Sequence, residues 1–432
     1  MAIATGLYLA ALVLITLFTD VIFGVSAQSL AYGPISLALV VLLYLGMTDR
    51  PRDFLDRWYS SSPLAAAGLL FLAGLAAALP NARDLGLAAR DLLRWSFVWL
   101  VFAPVTRALC DSPQRCRLFA RTAAALIVGF AAFTVADLLT GAAVTSALVG
   151  RAGVSPEGRF WSLYGNAGVL AGMLIVGLPL ALVPALTDGR AWGRWAWGLA
   201  TLLLITAMLL SGSRAALAAG AVAVSTVALA LRRWWLLGVV VGTAASVALL
   251  LGTRPLQGPP GLVRLQQLAT HSGPGMHSLQ RRELIWSVAA HLLQRSPLIG
   301  LGGSQLRFHQ HAGFRRAHNA WLDAWLDGGL PALLAMLVVT WRILRRAGAT
   351  VRGQCARYRD PTHAALVAAC LAVLVGWLVR AGIGGRIDWL PVFMLFGLWW
   401  ERPACERPPM GGAEGKRCSG GAQGRWDSEV PR

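Results

Sequence analysis

"HNAWLDAWLDGGLPALLAMLVVTWRILRR", residues 318–346, changes character part-way along. It opens with a histidine and an asparagine, runs through two tryptophans and two aspartates, and then becomes an apolar run ended by Arg342, Arg345 and Arg346. Residues 326–344 are long enough as helix, at about 1.5 Å per residue, to cross roughly 30 Å of hydrocarbon. Two more arginines, Arg315 and Arg316, stand just ahead of His318. A titratable histidine and fixed positive charge therefore gather at the mouth of a membrane segment.

The rest of the chain is of the same kind. With 432 residues, 56% apolar and only 14% charged, and a mean hydropathy of +0.59, it falls outside the range of soluble globular proteins. Apolar runs of span length recur throughout and predict an all-α, polytopic integral membrane protein with about twelve transmembrane helices. They lie at 4–24, 29–46, 63–80, 88–106, 122–140, 165–186, 195–213, 215–231, 234–252, 326–344, 364–380 and 388–400. No small-residue cleavage site follows the first, which predicts a retained helix rather than a signal peptide.

The arginines set the orientation. With the N-terminus cytoplasmic, the inside connections are "DRPRDFLDRW", "TRALCDSPQRCRLFAR", "DGRAWGR", "RRWW", "RILRRAGATVRGQCARYR" and the tail after Arg402, all arginine-rich, as the positive-inside rule requires. Both termini are then cytoplasmic. The domain organisation that follows is helices 1–9 over 1–252, a large periplasmic loop over 253–325, helices 10–12 over 326–400, and a Gly-rich polar tail over 401–432.

The loop breaks the charge rule. It carries Arg254, Arg264, Arg281, Arg282, Arg295, Arg307, Arg315 and Arg316 against the single acid Glu283 ahead of His318. Long loops translocate despite their charge, so the excess is expected to serve binding of an anion such as a phosphate or diphosphate. Nucleic acid is excluded as a partner, because this surface faces away from the cytoplasm. Within the loop a helix is expected from about Leu279 to Leu293, with Leu284, Val288 and Leu292 on one face and Arg282 and Trp286 on another. "SPLIGLGG" then breaks it, and a second helix starts near His318. Trp321, Leu322 and Trp325 are expected along the membrane interface. Cysteines fall on inside segments or within a helix, so no disulfide framework is expected. No phosphate-binding loop, HExxH or paired-cysteine pattern is present, and no cofactor or metal is expected. "HQHAGFRRAH" could be read as a metal site, but its positive charge and lack of carboxylates disfavour a divalent ion.

Three segments in order, "LLSGSRAALAAG" at 209–220, "RRELIWSVAAHLLQRSPLIGLGG" at 281–303 and "HNAWLDAWLDGGLPALL" at 318–334, resemble the bacterial O-antigen ligase and O-antigen polymerase family. The resemblance covers the middle third to half of the chain. It implies a glycosyltransferase of the bacterial inner membrane that takes a glycan from undecaprenyl diphosphate, at a site facing the periplasm. The ligase reading passes O-antigen to lipid A–core in lipopolysaccharide assembly, and the polymerase reading passes it to another lipid-linked repeat. A non-enzymatic transporter of lipid-linked glycans is the alternative from another class; it predicts internal repeats and midplane charges, which the sequence does not show.

The residues suit that chemistry. Loss of a diphosphate builds negative charge that fixed guanidinium groups stabilise, and an acceptor hydroxyl needs a base of histidine's type. The resemblance implies His318 as base and Arg214 and Arg282 as diphosphate ligands. Arg281 is an equal candidate to Arg282, and Arg315 and Arg316 are candidate assistants. Ser213, Asn319, Trp286 and Trp321 are supporting candidates. A lone base and no carboxylate nucleophile imply a metal-independent, inverting displacement. Each residue also has a structural reading: Arg214 as a charge ending a helix, Arg281 and Arg282 as a solvated helix face, Trp286 and Trp321 as packing, and His318 or Asn319 as a helix cap.

Overall fold

The structure, a computed structural model, describes residues 21–22, 25–26, 63–103, 106, 113–141, 143, 145, 167–253, 263, 274–308, 316–351 and 361–383. Val21–Ile22 (β1) and Val25–Ser26 (β2) form a minimal antiparallel pair. This corrects the end of the expected helix 4–24, where β-branched residues beside Gly24 favour extended backbone. The rest of 4–24, the spans 29–46 and 388–400 and the tail 401–432 lie outside the described residues.

Every other described element is helical: α1 (Pro63–Ala77), α2 (Leu85–Phe97), α3 (Pro113–Leu139), α4 (Ala167–Thr187), α5 (Ala191–Leu210), α6 (Arg214–Ala230), α7 (Trp235–Thr253), α8 (Pro274–Arg295), α9 (Ala320–Val351) and α10 (Pro361–Ile383). All except α8 fall where the sequence places spans. Gln114–Leu139, Leu170–Thr187, Ala191–Leu210, Ala320–Ala349 and Ala364–Gly382 are each long and apolar enough to cross a membrane. Three boundaries differ from expectation. A 3₁₀ turn, Leu79–Asn81, ends α1 early. Asp84 caps α2, its carboxylate accepting from the Leu87 N–H at 3.0 Å, so that helix begins ahead of the hydropathic run and brings Asp91 with it. The helix of α3 starts before the expected 122 and carries Cys116 into the core at 1% exposure.

Helix α4 is apolar on all sides, and it is enclosed by α3, α5, α6 and α10, as an all-round hydrophobic helix requires. The close partner of α10 is α6, whose Ala216, Ala219, Ala223 and Val227 are wholly buried. Small residues let backbones approach, which is how helices associate where no water is expelled. A Cβ at Gly376 of α10 would sit 2.9 Å from the Ala219 carbonyl. Along α10, Ala365 and most residues from Ala368 to Ala381 are buried in this core.

Helix α9 is not one straight span. Gly329 has φ 68, ψ −161, outside helical space, and the Trp321 indole N–H donates to the Thr340 hydroxyl at 3.2 Å. In a straight helix those residues would be about 28 Å apart, so the arm 320–328 folds back along the arm 330–351. The "SPLIGLGG" segment occupies the break. Leu301 N–H donates to the Leu326 carbonyl at 2.7 Å and Leu330 N–H to the Leu298 carbonyl at 3.1 Å. A Cβ at Gly329 would come within 2.2 Å of the Leu298 carbonyl, and one at Gly300 within 2.5 Å of the Gly329 nitrogen. On the other side, α1 passes so near that a Cβ at Gly74 would meet the Gly328 carbonyl at 2.5 Å. Three backbones cross where only glycine fits.

Candidate active site

The His318 segment is held from both sides. Asn319 caps α9, its side-chain oxygen accepting from Trp321 N–H at 3.1 Å and Leu322 N–H at 3.2 Å, and its amide donates to the Gly382 carbonyl at 3.4 Å. The cap is thus Asn319 and not His318. Before His318, Ala317 is wholly buried. Its N–H donates to the Asp323 carboxylate at 2.7 Å, and its carbonyl accepts from the Trp286 indole at 2.9 Å. Between these anchors His318 is half-buried, with a left-handed backbone at φ 56. For a residue with a Cβ that conformation costs on the order of 1–3 kcal/mol and persists only where the surroundings over-determine it.

The remaining candidates arrive from other elements. Arg214 is the first residue of α6, half-buried, and follows the tight turn Ser211–Gly212–Ser213, in which Gly212 has φ 62. Ser213 is the cap, its hydroxyl accepting from Ala216 N–H at 3.4 Å; this local need explains the "SGSR" sequence. Arg214 lies about 8 Å along α6 from Ala219, and Gly382, whose carbonyl accepts from the Asn319 amide, lies about 9 Å along α10 from Gly376. Arg282 is half-buried on α8, one turn before Trp286 and on the same face, so it stands beside the segment that presents His318. Arg281 lies next to Arg282 on α8, and Arg315 lies outside the described residues.

Trp321 packs inward rather than along an interface: a Cβ at Gly382 would lie 2.8 Å from its ring. The buried face of α8 is also turned by one residue from the expected one. Ile285, Ala289, Leu292 and Leu293 are at most 5% exposed and pack with Leu306, Ala317 and Leu326, whereas Leu284 is 56% exposed.

Arg316 has carboxylate partners. Its guanidinium is 3.5 Å from Asp91 of α2 and 3.5 Å from Asp327 of α9, with side-chain exposures of only 9%, 12% and 13%. Ser304 joins them, its hydroxyl donating to Asp91 at 2.5 Å and its N–H to Asp327 at 3.1 Å. Next to it the fully buried Gln305 donates to the Asp84 carbonyl at 3.0 Å and accepts from the Asp84 N–H at 3.0 Å. Charged groups at this burial require such pairing. Asp91, Ser304, Gln305, Asp323 and Asp327 were not among the site residues expected from sequence. The signal for Asp91 was "RDLLR", charge inside a run otherwise apolar enough to be taken as a span.

Residues 199–337 match the family described as O-antigen ligase. The match bears out the resemblance over about a third of the chain, from α5 into the second arm of α9, and includes Arg214, Arg282 and His318. It supports a role in O-antigen or polysaccharide assembly by a membrane glycosyltransferase-like activity on lipid-linked substrates. No curated protein matches the chain.

Proposed function

We propose that the chain is an inner-membrane O-antigen ligase, which moves the glycan from undecaprenyl diphosphate to lipid A–core on the periplasmic side. The observation that carries this reading is the left-handed backbone of His318, held by hydrogen bonds on both sides, within the stretch that matches the O-antigen ligase family and also contains Arg214 and Arg282. Left-handed backbone at a non-glycine residue, which Arg232 and Ser304 share, motivates the functional reading at His318 because hydrogen bonds anchor the residues on both sides of it.

In this reading the acceptor hydroxyl oxygen attacks the anomeric carbon, the bond from that carbon to the diphosphate oxygen breaks, and the hydroxyl proton passes to the neutral His318 imidazole. Arg214 and Arg282 take the charge that develops on the departing diphosphate. Attack opposite the leaving group inverts the anomeric centre, and neither a metal nor a covalent intermediate is required. Arg316, already engaged by two carboxylates, acts as a positioning residue that fixes the segment leading to His318.

The decisive experiment joins a deletion strain with purified transfer. Loss of polymer-capped lipopolysaccharide, with polymer retained on the lipid carrier, is the ligase outcome. Core bearing a single repeat would mean polymerase, and retention of both steps would remove the chain from this chemistry.

A further inference from the structure

The second arm of α9 presents one apolar stripe outward. Leu330, Leu334, Leu337, Trp341 and Leu344 are between 36% and 63% exposed, at the spacing of a single helix face, and the stripe ends at Arg345 and Arg346. In a helix apolar enough to cross a membrane, such a stripe faces acyl chains. It is too short for the purpose. Leu330 to Arg345 rises about 22 Å, and the hydrocarbon is about 30 Å thick, so about 8 Å remain beyond Leu330.

That gap is where the Pro297–Ile299 turn sits, placed there by the bond from Leu330 N–H to the Leu298 carbonyl at 3.1 Å. Leu298 is 64% and Ile299 47% exposed, and Pro297 is exposed beside them. Two of the turn's carbonyls are occupied within the protein: Pro297 accepts from the Trp325 indole at 2.8 Å and Leu298 from Leu330 N–H at 3.1 Å. Irregular backbone stays out of the hydrocarbon unless its polar groups are satisfied internally, so the backbone of the turn belongs at the headgroup boundary, with the Leu298 and Ile299 side chains continuing the apolar stripe of α9.

We infer that the Pro297–Ile299 turn sits at the headgroup boundary with the Leu298 and Ile299 side chains inserted among phospholipid acyl chains, where they complete the lipid-facing stripe of α9 and set the depth of α8 relative to the bilayer. The inference is independent of the transfer reaction. It identifies the break after α8 as a bilayer contact, not as the lip of a free aqueous loop.

The test uses the full chain reconstituted in phosphatidylethanolamine–phosphatidylglycerol vesicles, with p-benzoylphenylalanine placed at Ile299, at Leu337 as the lipid-facing reference, or at Glu283 as the exposed polar reference. Irradiation should give phospholipid adducts at 299 in yield similar to 337 and at least tenfold above 283. A yield at 299 no higher than at 283 overturns the inference, as does a predominant protein–protein adduct, which would assign the turn to a second copy of the chain. As a check that does not rest on the bulky probe, Ile299→Cys should react with a membrane-impermeant maleimide at least tenfold more slowly than Glu283→Cys. Equal rates would overturn it as well.

Discussion

Replacing Asp91 tests whether the family-matched stretch depends on a residue outside it. Asp91 and Arg316 approach to 3.5 Å at side-chain exposures of 12% and 9%, so Asp91→Ala leaves a nearly buried guanidinium with one carboxylate, Asp327, instead of two. Breaking a buried pair costs about 3–5 kcal/mol when the remaining charge is stranded. Here Asp327 still faces Arg316, which moves the expectation to the low end, and the hydrogen bond from Ser304 to an ionised acceptor, about 1.5–3 kcal/mol, is lost too. We expect destabilisation of about 4–5 kcal/mol, measured by SDS-induced unfolding in mixed micelles. Asp91→Ala with Arg316→Met should recover part of the loss, with a coupling of about 0.5–3 kcal/mol, because the stranded guanidinium is gone while Asp327 keeps its bond from Ser304 N–H. A single variant within about 0.5 kcal/mol of the parent, or strictly additive effects, would refute the idea that α2 locks the segment leading to His318.

His318→Gly should separate shape from chemistry: glycine adopts φ 56 freely, so folding should be unimpaired while transfer by the purified protein disappears. Near-normal turnover would remove His318 from the reaction. With His318 present, the rate should fall on acidification along a single ionisation, since an imidazolium cannot accept the hydroxyl proton; a flat profile contradicts this. Arg214→Lys and Arg282→Lys should each retain partial transfer and the corresponding alanine variants little, because an ammonium lacks the bidentate fork, as donor-dependence kinetics would show. Asn319→Ala should cost about 1 kcal/mol of stability through the lost cap. Gly329→Ala should prevent assembly altogether, since its Cβ would lie 2.2 Å from the Leu298 carbonyl; normal yield in a detergent-stable form would show that the crossing is looser than described.

Hydropathy located α3 to α7 and α10 because each is a continuous apolar run, and a membrane leaves such a run little choice but helix. It also exposed the basic histidine-bearing mouth. What it could not show depends on pairings distant in sequence. Asp91 and Arg316 are 225 positions apart, and nothing local to "RDLLR" names a guanidinium as its partner. The buried face of α8 follows from what lies beneath it, Leu306, Ala317 and Leu326, so Leu284 and Ile285 could exchange roles without any change in the helical period. Hydropathy also treats 326–344 as a uniform run, whereas a backbone angle available only to glycine folds α9 on itself.

The glycine crossing gives the ordered motifs a physical connection. "SPLIGLGG" and "DGGLP" are joined by the bonds between Leu301 and Leu326 and between Leu298 and Leu330, so neither segment has its observed backbone without the other. "RRELIW" precedes the first and "HNAW" precedes the second, and Trp286 to Ala317 ties those together as well. The segments that carry Arg282 and His318 are therefore joined by a doubly linked frame made from chain segments more than 20 residues apart. Arg214 belongs to the bundle and not to this frame. One bond that joins the frame to the bundle runs from the Asn319 amide to the Gly382 carbonyl. A donor gripped by both arginines would thus span that joint, and lengthening the Asn319 side chain to glutamine should disturb donor use more than folding, a separation measurable as a larger change in transfer kinetics than in unfolding midpoint.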